Sequence, residues 1–118
     1  MRLYKKHYLQ ILKIELEDLR EDLVLLIEEC KSSYKKESIT EHVFLANLTL
    51  FKNELLGVDE FFKIIEETDP EAFENLDAMT DHLRKRFKQK IDTYGLAEAV
   101  KVCVDRKLEK VAKYVMQK

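Results

Sequence analysis

The chain has 118 residues, 37% charged and 46% hydrophobic, with a formal net charge of −2, two glycines and one proline. So few turn formers exclude hairpin-rich β folds and long disordered tails, and a chain of this length buries about two-thirds of its unfolded surface without disulfides or metals. The charge is uneven: residues 1–83 carry 10 Lys/Arg against 19 Asp/Glu and residues 84–118 carry 11 against 4, so the two parts stand at −9 and +7. Such asymmetry fits either a surface for an acidic partner or a match between neighbouring helices.

A single domain over residues 1–118 is expected, built from helices alone. In residues 9–30, Leu9, Leu12, Leu16, Leu19, Leu23, Leu26 and Cys30 recur at alternating steps of three and four, a heptad seam on a long first helix. That helix is predicted over residues 3–31. Ile11, Ile14, Val24, Leu25 and Ile27 make it apolar on more than one side, so it is expected to lie between other helices as the central stave of a bundle.

Ser38-Ile39-Thr40-Glu41 has the capping-box pattern and opens a second helix, with Val43, Ala46 and Leu50 in one row and Phe44, Leu48, Phe51 and Leu55 in the next. Gly57 is expected to end it. A short third helix follows from Asp59, carrying Phe61, Phe62, Ile64 and Ile65. Thr68-Asp69-Pro70-Glu71 then reads as a stop followed by a start, opening a helix over residues 70–94 lined by Phe73, Leu76, Met79, Leu83, Phe87, Ile91 and Tyr94. Gly95 closes it. The last helix, from Leu96, sets Val100, Val104, Leu108, Val111 and Val115 on one stripe, and the short turn makes the last two helices an antiparallel pair. The expected fold is all-α: a bundle of four long helices, up-down in connectivity, with one extra short helix between the second and third.

Chemistry is harder to find. His7, His42 and His82 fall on different helices, and Cys30 and Cys103 are the only cysteines, so no motif spacing predicts a metal, cofactor or redox site. No Gly-rich phosphate loop or Gly-x-Ser-x-Gly elbow is present, and a non-enzymatic role is expected. Asp81-His82-Leu83-Arg84-Lys85 places a lysine three residues after a histidine, as histidine phosphotransfer domains do, but the following position, a glycine in that family, is Arg86. Phosphotransfer through His82 is therefore a remote alternative.

Two surfaces remain as candidates. Leu3, Tyr4, Tyr8 and Ile11 lie at the end of the longest predicted helix with few obvious mates, and self-association as a homodimer is expected to use them. Arg84, Lys85, Lys88, Arg106 and Lys110 form a candidate face for an anionic ligand, and a nucleic-acid-associated role for residues 84–113 is the alternative function. The N-terminal MRLYKKHY lacks the apolar core of a signal peptide and no run approaches the ~20 apolar residues of a membrane span, so a cytoplasmic protein-interaction module is the expectation.

Overall fold

The computed structural model describes residues 2–116, with side chains from Tyr4 onward. Four long helices, α1 (Arg2–Lys35), α2 (Glu41–Glu67), α3 (Leu76–Tyr94) and α4 (Glu98–Met116), are joined by short connections, one of which holds a 3₁₀ turn, Pro70–Ala72. Each helix packs antiparallel to the one before it. Arg20 of α1 meets Asp59 of α2 at 2.9 Å, Arg86 of α3 meets Glu67 of α2 at 3.1 Å, and Arg84 of α3 lies 3.8 Å from Asp105 of α4. The expected all-α, up-down bundle of four long helices is the fold observed, and the short element between the second and third is the 3₁₀ turn Pro70–Ala72.

The boundaries differ from expectation where backbone capping decides them. Thr40, not Ser38, caps α2, its hydroxyl accepting from the Val43 amide at 3.2 Å. Ser38 is occupied elsewhere, its amide bonding to the Ser33 carbonyl at 2.9 Å beside Glu37 at φ 59°, so the end of α1 closes on the residues that would have formed the capping box. At the other end of α2 the helix ends on Thr68, whose hydroxyl donates to the Ile64 carbonyl at 2.7 Å. Asp69 caps only the 3₁₀ turn through the Glu71 amide, and α3 starts afresh at Asn75, whose side chain accepts from the Ala78 amide.

Gly57 does not end a helix. Residues 59–67, expected to be a separate short helix, continue α2 without a break. The glycine is required for space: a Cβ there would stand 2.3 Å from Val100 Cγ1, so α2 and α4 approach each other closely at this point. Gly95 behaves as expected, capping α3 in the left-handed region at φ 63°.

The core joins Leu9, Leu12 and Leu16 of α1 to Phe61, Ile64 and Ile65 of α2, Met79, Leu83 and Phe87 of α3, and Val100, Val104, Leu108 and Val111 of α4. Phe61 and Phe87 meet edge to face with centroids 4.9 Å apart, while Phe62, next in sequence, is half-buried. The last two helices, of 19 residues each, span about 28 Å, whereas the 34 residues of α1 span about 51 Å. Only part of α1 can therefore be covered by them.

Candidate functional site

The turn between α3 and α4 sits at the level of Asn53, whose side chain accepts from the Ala97 amide at 2.8 Å and so caps the start of α4 from α2. Beyond that level, among the described residues, only the end of α1 and the beginning of α2 remain. They form a two-helix arm. Its tip is fastened by Tyr34 stacked on Phe44, centroids 4.3 Å apart and planes 6° apart, and by the Cys30 thiol directed at the Phe44 carbonyl.

The arm buries Ile27 and Cys30 between its helices but leaves much apolar surface uncovered. Leu25, Leu26, Val43, Leu45 and Leu50 are each between 40% and 60% exposed. The run around Leu25 was expected to be the centre of the bundle; the shorter α3 and α4 do not extend to it. Within the heptad seam, Leu26 gives up its inward place to Ile27, and Leu9, Leu12, Leu16, Leu23 and Cys30 keep theirs.

On α2 the positions Val43, Ala46, Leu50, Asn53 and Gly57 repeat at three and four residues and so lie along one seam. At Asn53 and Gly57 that seam is covered by α4, through Ala97 and Val100. At Val43, Ala46 and Leu50 it is open. Residues 43–51, VFLANLTLF, contain no charged side chain in a chain where 37% of residues are charged. At the root of the arm, burial pushes the Glu54 carboxyl up, and Cys103, facing the same cleft with Leu19, Leu23, Val58 and Val100, is also pushed up by burial and then by Glu54.

The N-terminal candidate interface is corrected by the structure at its centre. Tyr8 has no exposed surface; its ring lies in the core and its hydroxyl donates to the Leu108 carbonyl at 3.0 Å, while burial pushes that hydroxyl well above the ordinary phenol range. The mates it lacked in sequence come from α4. Tyr4 and Ile11 are half-buried against the same core, and the Leu3 side chain lies outside the described residues. Ile11 also lines an open groove of about 310 Å³ with His7, Glu15, Lys110, Val111 and Tyr114.

The basic candidates do not act as one set. Lys110 and Lys107 both bind Glu15 Oε1, at 2.8 and 3.1 Å, and hold its carboxyl below the usual range. Arg84 lies between Asp81 and Asp105, at 3.9 and 3.8 Å. Arg86 pairs with Glu67, and Lys90 lies 3.5 Å from the buried Glu60. Lys85, Lys88 and Arg106 are exposed and form no ion pair among the described residues. His82 is half-buried, its ring 4.8 Å from that of Phe73. Among the described residues no group of three or more His, Cys, Asp or Glu is placed to hold a metal ion, and no helix is long and apolar enough to cross a membrane.

The chain matches no protein-family model, and comparison with curated proteins and with solved structures yields no match.

Proposed function

We propose that this chain is a non-enzymatic interaction module that associates with itself, and that the arm rather than the N-terminal turns supplies the contact. The observation that carries this reading is the charge-free stretch 43–51 lying on a part of the molecule that only two helices cover. Solvated helices carry charge on their outward faces, and exposed contiguous apolar surface of this kind is characteristic of binding sites. Light scattering across a dilution series is the direct test. Self-association predicts a mass rising above 14.1 kDa with concentration, and a constant 14.1 kDa would contradict it.

Nucleic-acid binding is the lesser reading, because Arg84, Arg86, Lys90, Lys107 and Lys110 already face carboxylates. Of the cations in residues 84–113, Lys85, Lys88, Lys101, Arg106 and Lys113 form no ion pair among the described residues and would neutralise few phosphates. Labelled RNA and DNA are expected to show no mobility shift at micromolar protein and low salt; a shift whose strength falls steeply with salt would restore this reading.

A further inference from the structure

We propose that the arm's occupant is the arm of a second copy, set antiparallel across the open half of the α2 seam so that two helical hairpins close a four-helix bundle. This rests on the self-association proposed above and specifies where and how it occurs. Three observations on the seam lead to it.

First, the seam is already a helix-binding surface within the chain. Its Asn53 and Gly57 half is filled by the start of α4, and the Val43, Ala46 and Leu50 half continues along the same line with nothing on it. The shape that suits the covered half, a helix, suits the uncovered half.

Second, the open half is self-complementary. It reads large, small, large: Val43, Ala46, Leu50. A two-fold axis near Ala46 sets Val43 beside Leu50 of the partner subunit and brings the two small residues together, where their helices can approach closely; the same patch serves both copies, as an isologous contact requires. Leu26 of α1, on the same arm, is also 40% exposed.

Third, charge favours this surface over the alternative at the start of α1. Residues 43–51 bring no like charges across a two-fold axis, whereas residues 1–13 hold Arg2, Lys5, Lys6 and Lys13 and no acid. Lys5 is moreover buried, its ammonium bonded to the Phe73 carbonyl. Two N-terminal segments brought together would repel.

The patch is small. An arm of about 12 residues per helix is ~18 Å long and about two helix diameters wide, roughly 360 Å² in projection, which is below the ~800 Å² per partner of a standard stable interface. A contact this small belongs with weak, transient interfaces, and the dimer is proposed to dissociate at about 10⁻⁵ M.

Sedimentation equilibrium of the full chain and three variants tests this. Leu50→Lys and Val43→Lys each bury a charge in the proposed contact and are expected to weaken the dimer about tenfold or more, while Ile14→Lys, on an exposed α1 position outside it, leaves the dimer unchanged. Both arm positions are at least 40% exposed within one chain, so an unchanged helical circular dichroism spectrum is expected and checks that the fold survives. A wild-type dimer that persists in both arm variants, or that Ile14→Lys disrupts equally, overturns the proposed geometry while leaving self-association standing. A wild-type chain that stays monomeric at about 200 µM, well above the expected dissociation constant, overturns both.

Discussion

Tyr8 is the residue at which sequence and structure part most instructively. A tyrosine in the basic first two turns of a helix resembles a surface anchor, because its ring is apolar and its tip polar. Here the ring is fully buried and the tip is satisfied by Leu108, a hundred residues away. Tyr8→Phe is therefore expected to cost about 1 kcal/mol in a urea unfolding experiment and Tyr8→Ala about 3–5 kcal/mol, with the dimer dissociation constant of the phenylalanine variant unchanged. Loss of association without loss of stability would return Tyr8 to the interface.

Two glutamates give the molecule a pH dependence whose sign follows from their surroundings. Lys107 and Lys110 hold the Glu15 carboxyl below the ordinary glutamate value of 4.5, and Lys63, then Lys90, do the same for Glu60 despite burial. A carboxylate with a depressed folded pKa contributes stability that is fully present above its unfolded pKa and is lost as pH falls through the folded value. Unfolding free energy is thus expected to decline below about pH 4.5, less steeply in Glu15→Gln than in the wild-type chain. An identical slope in the two proteins would mean that the Glu15 pairs contribute nothing. Glu60 is also structurally demanding, since among the described residues its buried Oε1 has no hydrogen-bond partner and faces Lys90 at 3.5 Å. Replacing Lys90 with Met is expected to cost about 1–3 kcal/mol by leaving that charge less compensated.

At the scale of helices, Gly57 explains why the short helix expected from Asp59 is instead the continuation of α2. A glycine late in an amphipathic run, followed by an aspartate able to cap, carries the same signature whether the helix ends or another helix crosses it closely. What distinguishes the two is Val100, forty-three residues further on and not visible from local sequence. In an open helix Gly→Ala gains up to about 1 kcal/mol. At position 57 the added methyl meets Val100, and Gly57→Ala is expected to destabilise the fold by about 1–3 kcal/mol, with part of that restored when Val100→Ala is added. Simple additivity of the two changes in a double-mutant cycle would show that the close approach is not what the glycine serves.

The stripe of α4 was legible throughout, since Val100, Val104, Leu108, Val111 and Val115 are each buried as their spacing required, and that of α3 was legible from Leu76 to Ile91, but Tyr94, expected at its end, is 53% exposed and Phe73, expected at its start, lies before the helix and is half-buried. The seam of α1 departs from expectation after Leu23, at Leu26, and returns inward only at Cys30. Past that point burial depends on which helices are long enough to cover it, and an apolar Leu25 or Leu26 reads the same whether a third helix lies over it or not. The basic run 84–90 was similarly ambiguous: its neutralising partners Glu67, Glu60 and Asp105 lie on other helices, so only their juxtaposition separates a paired face from an open one.

On the scale of the whole molecule, 55 Å long and 18 Å in its narrowest extent, the unequal helix lengths divide one chain into a four-helix body and a two-helix arm. The body contains the continuous core of all four helices, and the arm depends on a pair of them for cover. A two-helix hairpin is marginal by itself because so much of its apolar surface meets water. Covering it with a second arm would both join two chains and steady this part of each. Hydrogen exchange followed at low and high protein concentration reads that coupling directly, since amides in a locally unstable element exchange by opening. Dimerisation through the arm predicts that residues 43–53 and 23–30 become more protected as concentration rises, while α3 does not change. Concentration-independent exchange in the arm, or new protection confined to residues 7–14, would contradict it.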